Sequence, residues 1–446
     1  MTRFRWYLLG VLAVSLGLRV GYVLSVTDDD GLAGDQFYYA AIADSLAGGH
    51  GFTKPFVAGS VASADHPPLT SVVMVPASWL ARRLDIGSTT PQRLTMTLLG
   101  AVTVLLVGLA GRDLARVTTS PEAAPDPDRD ARPDPGDHPE HGAPQLDPAE
   151  RACIGAASLA AISAGLWIND GIVMAESVTA ACLALVVWLS IRAWDRADTR
   201  SLVWLGAAIG LAGLARAESL LLVVLLLAPL AWRAAPDTRR LGRLAAGFVA
   251  CAVVLAPWVV PNLVRFDRPV LMSTNDGLTL LGANCPDTYT GPGIGFWSLD
   301  CTRLVPADPT ADDSTMSGRY RTEALHQIRT HPGALPKVIV VRELRTFGVW
   351  DVRFMNATGV AEGRPGAASW LAWGSWWITL ALGVFGMVLL RRDGRPWWLI
   401  GVHLVAVVVI TAAFYGLYRF RIGAEVALLV AGGSAVSRMW NAATAR

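Results

Sequence analysis

The chain has 446 residues, 53% hydrophobic and 17% charged, with a mean hydropathy of +0.41 and a net charge of +2. A soluble domain carries about a quarter charged residues, so this composition belongs in a bilayer, and so small a net charge argues against a nucleic-acid partner. Five cysteines without C-x-x-C spacing exclude a disulfide scaffold and a zinc module.

Met1 to Arg5 is short and basic, and Trp6 to Val26 is apolar except for Arg19. No small-residue cleavage site follows, so the stretch reads as a first membrane helix with its N-terminus inside. Arg19 lies about two turns from the outer end, where it either snorkels or contacts a lipid phosphate. The next segment, Gly34 to Leu69, sets Asp35 before a helical pattern of Tyr39, Ile42 and Leu46 that Gly48 and Gly49 stop. Asp35 there is either a helix cap or a chemical group. Leu69 to Leu84 contains Pro76 and falls short of the roughly 20 residues a crossing needs, so it is expected to lie along the interface.

The second span, Leu94 to Leu114, ends inside at Arg112 and Arg116. Thr118 to Glu150 is rich in Pro, Asp and Glu and predicts a disordered cytoplasmic loop. Further spans are expected over Ala152 to Ile168, Val173 to Trp194, Leu202 to Leu214, Leu220 to Trp232 and Leu244 to Val264. Residues 265–366 have ordinary soluble composition and predict a small extracytoplasmic domain, in which an oxidising compartment permits a Cys285–Cys301 disulfide. Cys153, Cys182 and Cys251 sit in apolar spans as small core residues. Trp370 to Leu390, Trp397 to Tyr415 and Ile422 to Ala435 complete the set. The expectation is an all-α polytopic membrane protein of about ten helices, parted into 1–116 with a catalytic outer loop at 27–93, 117–150, 151–264, 265–366 and 367–446. The arginine-rich short loops all fall on one side under this count, which sets the orientation in the plasma membrane.

Near the bilayer the ionisable groups collect on the opposite, outer face: Asp35, His66, Asp170, Glu176, Arg216, Glu218, Arg419 and Arg421. Such groups are costly at membrane depth and either pair structurally or line a cavity. An acid beside cations at the membrane surface suits one reaction. A polyprenyl-phosphate sugar presents an anomeric carbon with phosphate as leaving group; arginine or histidine neutralises that phosphate, and a carboxylate takes the proton of the incoming hydroxyl. The adjacent Asp28, Asp29 and Asp30 read as a solvated turn, with a second acid as the alternative.

These segments together resemble the GT-C glycosyltransferases, in particular the branch with the aminoarabinose lipid A transferase, the protein O-mannosyltransferases and the Rgt-type sugar transferases. Gly34-Asp35-Gln36-Phe37-Tyr38-Tyr39 is similar to that family's acid-x-x-x-Tyr loop, and the resemblance gives Asp35 the role of base. Many members carry Glu at the next position, whereas this chain has Gln36. His66-Pro67-Pro68-Leu69 is similar to the segment where relatives hold the carrier phosphate. Trp167 to Asp170 with Met174 to Ser177, and Gly213 to Glu218, resemble two later family segments. The expected site is then Asp35 as base, with His66, Arg19, Arg216, Arg419 and Arg421 on the donor and Asp170, Glu176 and Glu218 as supporting acids. No cofactor or metal is expected, although relatives differ in metal use. The expected partners are a polyprenyl-phosphate sugar, an extracytoplasmic acceptor and the bilayer. The rival class is a transporter or flippase of lipid-linked sugars, which would place its site near the midplane between related halves.

Overall fold

The computed structural model describes residues 3–26, 32, 34–55, 57, 61–117, 146–233 and 237–444. The Asp28 to Asp30 run and most of the acidic 118–150 segment lie outside them. The described residues are almost entirely helical, and the one isolated bridge among them pairs Thr53 with Ala62. The N-terminal part comprises α1 (Arg3–Val26), α2 (Asp35–Ala47), α3 (Leu69–Leu84) and α4 (Thr89–Arg116). Next come α5 (Pro148–Ile162), α6 (Ala164–Trp167), α7 (Glu176–Arg196), α8 (Thr199–Ala215), α9 (Ala228–Arg233) and α10 (Arg240–Arg265). The loop-rich region carries α11 (Asp276–Ala283), α12 (Pro286–Tyr289), α13 (Asp313–Thr330), α14 (Leu335–Thr346) and α15 (Val352–Ala361). The chain closes with α16 (Gly366–Arg392), α17 (Trp398–Ala413) and α18 (Ile422–Thr444).

Six of these helices are long and apolar enough to cross a bilayer, or seven if the bent pair α5–α6 is one span. The expected ten positions are all helical, but α8 and α17 are short, at 17 and 16 residues. At 1.5 Å per residue such helices reach about 25 Å, less than the roughly 30 Å hydrocarbon core. The expected sixth span is a π-helical turn at Val223–Leu227 running into α9. Pro229 explains it: a proline ring clashes with the carbonyl four residues back, and a wider turn relieves the clash. The expected third span is bent by 53° between α5 and α6. There Ser163 leaves the helical region, and the Ala164 amide donates to Ser375 Oγ instead of continuing the ladder.

Lipid gives no hydrophobic drive between helices, so they associate through close packing of small residues. A Cβ built on Gly206 of α8 would stand 2.0 Å from the Gly247 carbonyl oxygen of α10, and one on Gly386 of α16 would stand 2.0 Å from that of Ala431 in α18. At one end of the bundle the arginine-rich termini meet: Arg116 pairs with Asp147, Arg438 with Asp393, and Arg243 donates to the Ala197 carbonyl. The opposite end carries the 265–366 region, which is fastened to the bundle. Arg342 donates to the Ala412 carbonyl at 2.8 Å, and Ala283 and Met355 share one apolar cluster with Tyr415 and Leu417. Cys285 and Cys301 are bonded; Cys153, Cys182 and Cys251 are free and buried.

Candidate active site

Gly34 caps α2 with φ +56, a left-handed conformation that favours glycine, and so sets Asp35 at the first helical position. Among the described residues no side chain caps this helix. The Asp35 carboxylate reaches across the chain instead, to His66 Nε2 at 3.6 Å and to Arg419 Nη1 at 3.2 Å. The reading of Asp35 as a helix cap is therefore not the one the fold uses. His66 stands just before Pro67-Pro68 at the start of α3, held by the rings of Tyr38 and Tyr39, each 5.0 Å away between centroids. Arg419 belongs to the single turn Tyr418–Arg421 that leads into α18.

These groups line a cavity of about 610 Å³. Glu176 at the start of α7, and Arg216 and Glu218 just after α8, line it too, with an aromatic wall that includes Phe296, Trp297, Tyr415 and Phe420. Arg216 donates to Glu218 at 2.6 Å and to Glu176 at 3.2 Å, and its guanidinium lies 5.1 Å from the Phe420 ring centre. One Glu176 oxygen is buried without a hydrogen-bond partner among the described residues. Arg419 also donates to Tyr415 Oη at 2.9 Å and lies 3.6 Å from Glu362. The loop-rich region contributes Ser273, Asn275, Asp276 and Thr279.

The balance of charge favours ionised acids. Burial would raise the Asp35 carboxyl, but the His66 hydrogen bond and the Arg419 cation outweigh it and hold the group well below the usual carboxylate range. The side chain is still 36% exposed, open to a substrate from the cavity. Glu362 follows the same logic: burial pushes it up, while Arg364 and then Arg419 bring it below its ordinary value. Among the described residues no three His, Cys, Asp or Glu side chains gather as a metal-holding group. The cavity acids Asp35, Glu176 and Glu218 each face a guanidinium instead.

Of the residues picked out from the sequence, six meet in this cavity: Asp35, His66, Glu176, Arg216, Glu218 and Arg419. Three do not. Arg19 and Asp170 form a buried ion pair, with Ser15 on the arginine and Ser177 on the acid, and neither lines the cavity. A partner far along the chain thus replaces the phosphate contact expected of Arg19. Arg421 turns away to Glu425 at 2.7 Å.

Sequence reasoning missed Glu362 and Arg364, which were assigned to an ordinary soluble domain. Their one signal was position: an acid and a base directly before the eighth span. Gln36 proves to be a clamp. Its amide donates to the Glu362 carbonyl at 2.8 Å and accepts from the Val173 amide at 3.1 Å. The amide supplies both a donor and an acceptor, whereas a carboxylate in its place has no donor. Gln36→Glu should therefore cost about 1–3 kcal/mol, the penalty for leaving a buried carbonyl unpaired. Thermal unfolding in detergent checks this, and an unchanged midpoint would remove the clamp from the account.

The sequence model of the dolichyl-phosphate-mannose-protein mannosyltransferase family matches residues 145–264, the stretch bearing Glu176, Arg216 and Glu218. The archaeal oligosaccharyltransferase AglB from Archaeoglobus fulgidus, solved with an inhibitory peptide and a dolichol-phosphate, is 15% identical and superimposes with a TM-score of 0.52 over 100% of this chain. The chain has the GT-C glycosyltransferase fold. It spans about half the length of that archaeal protein, 52%. ArnT from Cupriavidus metallidurans bound to undecaprenyl phosphate is 16% identical, with a TM-score of 0.43 over 99% of this chain and 80% of that one. In the apo state ArnT is 17% identical, with a TM-score of 0.39 over 96% and 77%. No curated protein matches the sequence. Within the GT-C fold, the family-matched stretch supplies one charged wall of the cavity, and the loops around α2 and before α18 supply the other.

Proposed function

We propose that this chain is a membrane glycosyltransferase that moves a sugar from a polyprenyl-phosphate donor to an acceptor outside the cytoplasm, by inverting displacement. The observation that carries the reading is the placement of Asp35 between His66 and Arg419 on the wall of an open cavity, with Arg216 on the same cavity. In the reaction the acceptor oxygen bonds to the anomeric carbon as the bond from that carbon to the phosphate oxygen breaks. The leaving electron pair goes to the phosphate, whose charge Arg419, Arg216 and His66 offset. The acceptor proton goes to Asp35. One base suffices, because no covalent enzyme intermediate forms. AglB and ArnT have been solved with dolichol-phosphate and undecaprenyl phosphate respectively, which supports the donor class. The arginine-rich helix ends lie opposite the cavity, which by the positive-inside rule supports an active site on the outer face of the plasma membrane.

Lipid analysis of a deletion strain tests this. The expected result is an accumulated polyprenyl-phosphate sugar with an envelope component lacking that sugar. Unchanged lipid and envelope pools would contradict it.

A further inference from the structure

At the arginine-rich end of the bundle, opposite the active-site cavity, a pocket of about 240 Å³ opens where the ends of α4, α16 and α18 meet the start of α5. One water needs only about 10–15 Å³ of such space, so the pocket admits a much larger group. Along α18 its wall is Ser434, Ser437, Arg438 and Asn441, at steps of three and four that share one helix face. Asp393 and Arg395, just past the end of α16, close another side.

Most of these groups already have partners. Ser437 Oγ donates to the Pro148 carbonyl at 2.9 Å, Asn441 Oδ1 accepts from Arg151, and Arg438 pairs with Asp393. Among the described residues, two have none. The half-buried Arg395 guanidinium makes no hydrogen bond or ion pair there. Ser434 Oγ is buried without a partner, on a residue only 8% exposed. An unpaired buried hydroxyl is expensive, so one standing in the same pocket as a free guanidinium points to a ligand. Arg395 and Arg438 against Asp393 leave one positive charge in excess, which makes that ligand an anion.

Depth decides where the anion comes from. The 27 residues of α16 reach about 40 Å, enough to cross the hydrocarbon core and end among the headgroups. Trp397, just after Arg395, and Trp440, beside Asn441, are 37% and 41% exposed, and tryptophan concentrates at headgroup level. Basic pockets between helices at the cytoplasmic side hold anionic headgroups. We infer that this pocket binds the phosphate of an anionic phospholipid, in the inner leaflet by the orientation proposed above. Arg395 supplies the fork of donors and Ser434 the buried one.

The full-length protein, freed of lipid in a non-ionic detergent, would be titrated with dioleoyl phosphatidylglycerol and with dioleoyl phosphatidylcholine, and bound lipid read by native mass spectrometry. Wild type should hold the anionic lipid about fivefold more tightly or better, the worth of one arginine at an anionic surface. Arg395→Gln should lose about that factor, and Ser434→Ala about threefold, the worth of one hydrogen bond. Arg392→Gln removes the same charge at an exposed position outside the pocket and should stay within about twofold of wild type. Equal losses in Arg392→Gln and Arg395→Gln would reduce the effect to surface charge and overturn the site, as would equal retention of the two lipids. Displacement of the phosphatidylglycerol by millimolar inorganic phosphate would overturn a lipid as the ligand. Both pocket positions lie at the opposite end of the bundle from Arg419, so the outcome is independent of the transfer reaction.

Discussion

Asp35→Asn should lower the transfer rate by about two to four orders of magnitude, the usual contribution of a general base. The variant should still insert and bind its lipid donor. Asparagine matches aspartate in shape and keeps an oxygen that can accept from Arg419 and His66, so the hydrogen-bond geometry can persist while the charge is lost. Among the described residues no side chain caps α2, and the Asp35 carboxylate is turned to His66 and Arg419 instead. What asparagine cannot do is accept the acceptor's proton. The pH profile carries the same signature. Because His66 and Arg419 hold the Asp35 carboxyl below its ordinary value, it stays ionised as pH falls through the usual carboxylate range. The acid limb of kcat/KM should therefore lie below about pH 4, the value for an unperturbed carboxyl. Removing either partner should move that limb upwards. Single-turnover kinetics of the purified variant would decide; more than about a tenth of the wild-type rate, outside the range for a lost base, would end the case for Asp35.

Arg419→Ala should have the second largest effect. Arg419 holds Asp35, Tyr415 and Glu362 at once and lines the cavity. Truncating one partner of a buried charge pair costs about 2–5 kcal/mol, equivalent to roughly 30- to 4000-fold in kcat/KM if the phosphate is its ligand. The loss should fall chiefly on KM for the donor, because the phosphate is charged before the reaction begins. Arg419→Lys should recover only part of it, since an ammonium keeps the charge but not the fork. Donor titrations by steady-state kinetics would check the split. A change confined to kcat, with donor KM untouched, would place Arg419 outside phosphate binding.

Much of this was legible in the residues. The helix from Leu69 to Leu84 carried its own bounds, a Pro-Pro turn before and a basic stop after, and α3 has those limits. Gly48 and Gly49 likewise end α2 where expected. The six cavity residues could be found because each sits where an apolar span meets a loop, a place where charge is costly unless used. What stayed hidden depended on tertiary partners. Arg19 stood out as a charge in an apolar span, but its match with Asp170 spans 151 positions, and nothing local announces it. The bend at Ser163 depends on Ser375 of another helix. Glu362 and Arg364 were obscured by the soluble composition around them, although they stand at the same kind of boundary.

Sugar transfer from a lipid phosphate can be followed directly in one measurement. Purified wild-type protein in nanodiscs would be given a polyprenyl-phosphate sugar labelled in the sugar, together with a cell-envelope acceptor fraction. The label should move onto the acceptor with matching release of polyprenyl phosphate, and Asp35→Asn should abolish both. Label that stays on intact lipid while crossing between leaflets would contradict transfer and identify a flippase instead.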